Sequence, residues 1–280
     1  MDIVLTGIAR SGTTLTCSLL NGLPRCVALH EPMRPKTLAG LDFPEGYLSA
    51  VGSFFSAERE TLLAGGLARS KAIGGSVPDN PYGSSKDRQG LRRSMVEGRG
   101  IHVDKPLEPG FRLVIKHPAL FTATLAALQT RFPCYAVVRN PLASMLSWHT
   151  IQSRVNRGRI QDAEAFDAGL KASLDAEPDV IERQVTIIRW SLARYATLLP
   201  PGHVIRYEEL VASRGRALAV IDPEAASLDE PLENRNANPI YDASMVRRIA
   251  DRLLADPSIY AGFYTASDIA DLRDRWAAAR

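Results

Sequence analysis

The chain has 280 residues, of which 45% are hydrophobic and 23% are charged, and its formal net charge is +3. This composition is typical of a folded globular protein and excludes a disordered chain, and so small a charge excludes a protein coated for nucleic-acid binding. No run of 18 apolar residues predicts a membrane span, and the start Met1-Asp2 lacks the basic segment of a signal peptide, which predicts a cytoplasmic protein.

The first elements predict the beginning of a βαβ unit. Residues 3–7 are apolar or β-branched and end at a glycine, which predicts a buried parallel strand. A small polar turn leads into residues 14–21, where leucines recur at helical spacing. Residues 26–29 predict the next strand, which ends at His30-Glu31. The order of strand, glycine turn and helix is that of an α/β protein.

Residues 36–110 show the least regular pattern in the chain. They contain one predicted helix, near residues 48–67, followed by a stretch rich in glycine, serine, aspartate and proline from Gly74 to Gly90. A long segment without regular structure inside a compact domain is typical of a functional lid or of a disordered insertion. We therefore expect residues 36–110 to form a mobile insertion on the acceptor side of the active site.

The α/β pattern resumes after this insertion. The predicted strands are 113–116, 135–138 and 203–207, and the predicted helices are 120–132, 142–154, 181–199, 246–254 and 267–279. Strands that alternate with helices favour one doubly wound α/β domain, residues 1–280, with a central parallel sheet.

The turn after the first strand has the features of a phosphate-binding loop. Backbone N–H groups at a strand-to-helix turn form an anion site, Gly12 allows close approach, and Thr13 and Thr14 add hydroxyl donors. An ordinary tight turn with a threonine cap would look the same. The loop has the two glycines of a Walker A motif, but Thr13 stands where the lysine belongs and the cation is Arg10. A nucleoside-triphosphate kinase needs that lysine, so the P-loop kinase becomes the weaker alternative.

Two segments resemble the sulfotransferase superfamily, most closely its tyrosylprotein, glycan and bacterial branch. Ala9-Arg10-Ser11-Gly12-Thr13-Thr14-Leu15 is similar to the P-[RK]-S-G-T-[ST]-L loop of that family, with alanine in place of proline. Val138 to Ser147 is similar to the segment R-[ND]-P-x-x-x-x-x-S, with Arg139 and Ser147 at its two defining positions.

The resemblance implies a binding site for PAPS (3′-phosphoadenosine-5′-phosphosulfate). In the family, the first loop holds the 5′-phosphosulfate, and the arginine and serine of the second segment bind the 3′-phosphate. The implied donor-binding residues are Arg10, Ser11, Gly12, Thr13, Thr14, Arg139 and Ser147. Two further candidates are weaker: Tyr207 lies near the adenine or is a core tyrosine, and Arg235 belongs to a loop that returns to the 3′-phosphate or is solvated.

The catalytic candidates lie at strand ends. In the resembled branch, a glutamate placed like Glu31 is the general base and a lysine placed like Lys116 stabilises the transition state together with Arg10. The carboxyl ends of parallel strands meet at one sheet edge, so these residues and Arg139 should converge. His117 is a rival base, because histidine titrates near neutral pH.

Together these patterns predict transfer of a sulfuryl group from PAPS to an acceptor hydroxyl, with PAP as the product and no metal. The acceptor is a small molecule, a glycan, a lipid or a tyrosine, and the family analogy suggests a homodimer. The alternatives are a P-loop nucleotide kinase and a catalytically inactive nucleotide-binding protein.

Overall fold

A computed structural model describes residues 1–278, which contain nine strands and twelve α-helices. The strands are β1 Asp2–Gly7, β2 Cys26–His30, β3 Leu67–Ala72, β4 Tyr82–Lys86, β5 Arg92–Ser94, β6 Glu97–His102, β7 Arg112–Lys116, β8 Cys134–Val138 and β9 Val204–Arg206. The helices are α1 Thr13–Asn21, α2 Pro35–Leu38, α3 Glu45–Gly65, α4 Pro118–Ala123, α5 Leu125–Leu128, α6 Pro141–Trp148, α7 Gln161–Glu164, α8 Ala168–Ala176, α9 Val180–Leu198, α10 Tyr207–Ala212, α11 Ala243–Leu254 and α12 Ala266–Ala278. Within these residues, none of the helices is long and apolar enough to cross a lipid bilayer.

The central sheet has five parallel strands in the order β2-β7-β1-β8-β9. Ile3, Val4 and Leu5 of β1 are fully buried, as a parallel strand covered on both faces requires. The chain builds one side of the sheet after β1 and then crosses to the other side, so a crevice forms at the carboxyl end of β1. The predicted α/β class with a central parallel sheet is confirmed.

The insertion has more regular structure than its composition predicts. β3 pairs with β6 in an antiparallel ladder, and β4 pairs with β5 in a short hairpin. The expectation of an irregular stretch at 74–90 is therefore wrong at β4, Tyr82–Lys86. This strand is short, polar and largely exposed, so it lacks the apolar alternation that identifies a strand in sequence. The mobility of 36–110 and the extent of the domain stay predictions.

Two of the predicted helices differ clearly in extent from the observed ones. The helix predicted over 142–154 ends at Trp148, and a separate 3₁₀ turn, Arg154–Arg157, follows. The helix predicted over 120–132 is divided into α4 and α5 at Thr124, whose hydroxyl bonds Leu120 and the Tyr47 hydroxyl. The final helix was predicted to reach Ala279, which lies outside the described residues.

Candidate active site

A cleft of about 650 Å³ opens where β1, β2, β7 and β8 end. A volume of this size suits a ligand the size of a nucleotide. The predicted site residues that line the cleft are Arg10, Gly12, Thr13, Thr14, Glu31, Lys116, His117, Arg139, Ser147, Tyr207 and Arg235. The sheet topology brings these residues together, because the carboxyl ends of the four parallel strands lie at the same edge of the sheet.

The loop between β1 and α1 depends on Gly12. Its φ is +97°, and a Cβ atom there would lie 2.9 Å from Cδ2 of Tyr207, so a side chain fits neither the conformation nor the space. Helix α1 begins at Thr13, and its first N–H groups have no partners inside the helix. The loop therefore presents free N–H donors beside the cleft, as an anion site requires.

Ser11 differs from its neighbours in the loop. Its hydroxyl donates to the carbonyl of Val137 over 2.7 Å, and its N–H donates to the carbonyl of Ile8 over 3.0 Å. Both groups are thus engaged inside the protein, and the Ser11 side chain is fully buried. Its hydroxyl ties the loop to β8.

Two of the predicted catalytic residues have unusual backbone conformations. Arg10 has a φ of +69° and Glu31 a φ of +46°, and among residues 1–278 the other non-glycine residue with a positive φ is Arg214. Such conformations cost of the order of 1–3 kcal/mol and concentrate at functional sites. The strain marks Arg10 and Glu31 independently of any sequence motif.

Arg139 follows β8 and is 6% exposed. Its Nε donates to Oδ1 of Asn236 over 2.7 Å, and its Nη1 and Nη2 donate to the carbonyls of Arg10 and Arg235 over 3.1 and 2.7 Å. The guanidinium stands 4.6 Å from the ring centre of Tyr207. Since a guanidinium has five N–H donors, two remain for a ligand in the cleft.

Arg10 lies with Arg139 and Ser147. Its Nε donates to the Ser147 hydroxyl over 3.2 Å, its Nη1 donates to Oδ1 of Asn80 over 3.1 Å, and its guanidinium lies 4.8 Å from the ring centre of Tyr82. Burial lowers the pKa of Arg10 to about 10, and Arg139 is among the nearby cations that contribute. Its contacts are thus at the Ser147 end of the cleft, whereas Glu31 and Lys116 interact with each other.

The cations at the Ser147 end have no acidic partners. Among residues 1–278, no carboxylate oxygen lies within 4 Å of the guanidinium nitrogens of Arg10 or Arg139. A buried charge without a counter-ion is costly, and an anionic ligand removes that cost. We call this group, with Ser147, the donor end, after the prediction that Arg10, Arg139 and Ser147 bind the donor.

The other end of the cleft is centred on Glu31. Its Oε1 accepts a hydrogen bond from Nζ of Lys116 over 3.1 Å, and its Oε2 accepts one from Nζ of Lys71 over 2.5 Å. The His30 Nε2 lies 3.4 Å from Oε1, and Lys116 also lies 3.4 Å from the Thr14 hydroxyl. We call Glu31, Lys116 and Lys71 the acceptor end, after the prediction that Glu31 is the base for the acceptor hydroxyl.

Glu31 is ionised in this setting. Burial alone would raise the pKa of the carboxyl, but Lys116, His30 and Lys71 outweigh burial and hold the pKa well below 4.5. The Glu31 side chain is nevertheless 25% exposed, whereas Lys116 is 2% exposed. The carboxylate is therefore both charged and open to the cleft.

His117 is poorly placed to accept a proton. Its Nε2 already accepts a hydrogen bond from the N–H of Met33 over 3.1 Å, so the proton of the neutral ring is on Nδ1. Burial lowers the pKa of His117 to about 3. Its ring also packs edge-on against Phe121 at 5.1 Å. These contacts make His117 a support for the chain after β2.

Tyr207 and Arg235 pack against or bind residues of the donor end. The Tyr207 hydroxyl donates to the carbonyl of Glu233 over 3.1 Å and accepts from the N–H of Arg235 over 3.2 Å. The ring is 5% exposed and packs on Gly12 and Arg139. Arg235 contributes its carbonyl to Arg139, while its side chain is 55% exposed and lies 3.8 Å from Glu233.

Sequence reasoning missed the residues that the insertion brings to the cleft. Four of them, Lys71, Asn80, Tyr82 and Arg92, contact predicted site residues or the segment after α6. A weak sequence signal existed for Lys71, because long and small side chains alternate along Leu67–Ala72, as in a strand. For the other three the sequence gives no signal, because they lie in or beside short polar strands.

No protein-family model and no curated protein matches this sequence. Among solved structures, the chain is similar to a sulfotransferase from Alicyclobacillus acidocaldarius, with 12% identity over 92% of this chain and 94% of that chain, at a TM-score of 0.46. It is also similar to the sulfotransferase STF1 from Mycobacterium tuberculosis, with 14% identity over 99% of this chain and 76% of that one, at a TM-score of 0.34. Both of these structures are described as sulfotransferases.

Proposed function

We propose that this protein is a sulfotransferase, which moves a sulfuryl group from PAPS to an acceptor hydroxyl and releases PAP. One observation carries the proposal: the cleft has unpaired arginines at one end and an ionised glutamate between two lysines at the other. A donor with several phosphate groups fits the first end. A hydroxyl that must lose its proton fits the second.

The residues of the donor end fit the two charged parts of PAPS. Arg139 and Arg10 supply charged donors for the 3′-phosphate, and the Ser147 hydroxyl, on α6, lies against Arg10. Placing Arg10 here departs from its predicted role beside Lys116 in the transition state. The N–H groups at the start of α1, with the Thr13 and Thr14 hydroxyls, suit the 5′-phosphosulfate. Within residues 1–278 no three His, Cys, Asp or Glu side chains are grouped to hold a metal ion. The prediction that the reaction uses no metal stays a prediction.

Glu31 is the general base of the proposed reaction. The acceptor oxygen forms a bond to sulfur while the bond between sulfur and the 5′-phosphate oxygen breaks, and Glu31 takes the proton of the hydroxyl. Lys116 contacts both Glu31 and Thr14 of the loop, so its charge can serve the leaving phosphate. A carboxylate bound to two ammonium groups is a weak base. Turnover therefore depends on Lys116 turning from Glu31 toward the donor.

Two alternative functions must be distinguished by experiment: a nucleotide kinase and a catalytically inactive nucleotide-binding protein. Lys116 lies 3.4 Å from Thr14, so a cation does reach the loop although Thr13 replaces the Walker lysine. This contact is the observation that favours a nucleotide kinase. A catalytically inactive nucleotide-binding protein would have no use for Glu31. The acceptor class, the homodimer and the cytoplasmic location stay predictions.

Calorimetric titration tests the donor directly. The protein is titrated with PAP and, separately, with ATP plus Mg²⁺, and the Arg139→Ala variant is titrated in the same way. Micromolar PAP binding that is independent of Mg²⁺ and weakened by Arg139→Ala supports the proposal. Mg²⁺-dependent ATP binding without PAP binding would replace it with the kinase. PAP binding with no sulfuryl transfer to any of a panel of phenols, sugars and lipids would favour the inactive protein.

A further inference from the structure

The hairpin formed by β4 and β5 reaches the donor end of the cleft. Oδ1 of Asn80, just before the hairpin, accepts the hydrogen bond from Arg10, and the Tyr82 ring lies against the same guanidinium. At the other strand, the N–H and the carbonyl of Arg92 bond residues 150 and 152, which follow α6. The insertion was expected on the acceptor side of the cleft, but these contacts place it at the donor end as well.

Arg92 has donors that the protein leaves unused. Its Nη2 donates to the Thr150 hydroxyl over 2.8 Å, but its Nε is buried and has no hydrogen-bond partner within the described part of the chain. No carboxylate oxygen of residues 1–278 lies within 4 Å of its guanidinium. Burial lowers the pKa of Arg92, and the nearby Arg235 contributes.

Arg92 completes a set of three guanidinium groups around one region. Arg10 interacts electrostatically with both Arg92 and Arg139, and all three line the same cleft. Thr150, which fixes Arg92, donates its hydroxyl hydrogen to the carbonyl of Ser147. Three cations gathered without carboxylates repel one another, and an anion with more than one charge relieves that repulsion. A phosphate monoester at Ser147 has the required charge.

We propose that Arg92 binds the 3′-phosphate of the donor together with Arg139 and Ser147, so that the hairpin selects nucleotides that carry this phosphate. This assignment rests on the proposed function, because it takes PAPS as the donor. The insertion then has two roles: Lys71 contacts Glu31 at one end of the cleft, and Arg92 serves the nucleotide at the other.

Calorimetry with PAP and with 5′-AMP, which lacks only the 3′-phosphate, tests the assignment. Arg92→Gln should weaken PAP binding about 10- to 100-fold, the loss expected for a charge-assisted bond to phosphate. The same variant should change 5′-AMP binding less than about threefold. Arg93→Gln is the matched control, because Arg93 is the next residue of β5 and is exposed; it should leave both affinities unchanged.

A second control separates the charge of Arg92 from its hydrogen bond to Thr150. Thr150→Val removes that hydrogen bond but keeps the guanidinium and the backbone bonds that dock the hairpin. If Thr150→Val reproduced the full loss seen with Arg92→Gln, the loss would come from the bond to Thr150 and not from the charge, and that result overturns the assignment. Equal weakening of PAP and 5′-AMP by Arg92→Gln, or no weakening of either, overturns it as well. If Arg92→Gln does not fold, Arg92→Lys replaces it. A lysine keeps the positive charge but lacks the two parallel N–H donors of a guanidinium, so this variant should weaken the binding of PAP more than that of 5′-AMP.

The two proposals fail in different ways. Wild-type protein that does not bind PAP overturns the proposed function and this assignment together. Wild-type protein that binds PAP and transfers sulfuryl groups, with a PAP affinity unchanged in Arg92→Gln, overturns only the role of Arg92.

Discussion

The two ends of the cleft differ in whether their charged side chains have a partner of opposite charge among the described residues. At the donor end, Arg10, Arg92 and Arg139 lie close together without a carboxylate within 4 Å in the described residues. At the acceptor end, the single carboxylate of Glu31 is bound by Lys71 and Lys116. The first end has charge left for a ligand, and the second has its charge satisfied internally.

This difference indicates which end depends on substrate. Cations without a counter-ion are stabilised when a multiply charged anion binds, so the donor should stabilise the folded protein as well. A carboxylate that two ammonium groups already hold is kept in place before any substrate arrives. The donor end thus has charge available for a ligand, whereas the proposed base is held in place and reacts only once Lys116 turns toward the donor.

Removing the charge of Glu31 should have the largest effect. Glu31→Gln keeps the size of the side chain but cannot accept the hydroxyl proton, so kcat should fall about 10²- to 10⁴-fold. PAP affinity should stay unchanged, because the donor end does not use Glu31. Single-turnover kinetics measures the first quantity and calorimetry the second.

Asp162→Asn is the matched control for this loss. Asp162 lines the same cleft, and the Glu31 charge, after burial, helps to raise its pKa. This variant should retain most of its turnover. If Glu31→Gln stays active while His117→Ala does not, the base assignment is wrong and His117 takes the role.

Removing Arg139 should have the next largest effect, and on binding. Arg139→Ala takes away donors at the 3′-phosphate and should raise the Kd for PAP about 10- to 100-fold. The variant also leaves Asn236 and the carbonyls of Arg10 and Arg235 without their partner, so Tm should fall. Equal loss of PAP and ATP affinity would show that the effect is structural and not specific to the 3′-phosphate.

The sequence predicts the sheet well because buried parallel strands leave a strong signal. Each central strand is a short apolar run, and the residues that follow β1, β2, β7 and β8 carry the charged candidates. Once the strands are known to be parallel, their ends must meet. In the register of the sheet His30 pairs with Lys116, which brings Glu31 beside that lysine.

The sequence could not predict the partners that the insertion supplies. Lys71 reaches Glu31 across 40 positions of chain, and Asn80 reaches Arg10 across 70. These contacts depend on how β3 and the hairpin dock, and short polar strands carry no pattern that fixes docking. Nor does a loop motif say where a hydroxyl points: that of Ser11, predicted to bind the donor, bonds the carbonyl of Val137.

Lys71 should contribute to the pH range of the reaction, beside Lys116, which lowers the pKa of Glu31 more. The cations facing Glu31 are Lys116, His30 when protonated, and Lys71, and the nearby carboxylate is Asp162. The depressed pKa keeps Glu31 ionised into acidic solution. Because the charge of Lys71 helps to lower this pKa, Lys71→Met should raise it. The acid limb of kcat/KM should then move to higher pH, while Kd for PAP stays constant.

Lys71→Arg serves as the control for this shift. It keeps a positive charge near Oε2 of Glu31, so the acid limb should stay close to that of the wild-type protein. Lys71→Met with a lower kcat but an unmoved acid limb would mean that Lys71 only supports the local structure.

The smallest effect on the donor should come from Ser11. Because its hydroxyl donates to Val137 and its side chain is buried, Ser11→Ala should cost about 1 kcal/mol of unfolding free energy and change the PAP affinity less than about twofold. Thr14→Val removes the hydroxyl that faces the cleft and contacts Lys116, and it should weaken PAP binding several-fold. Chemical denaturation and calorimetry on both variants give the comparison. A loss of PAP affinity in Ser11→Ala as large as in Thr14→Val would return Ser11 to the donor site and would mean that the loop rearranges when the nucleotide binds.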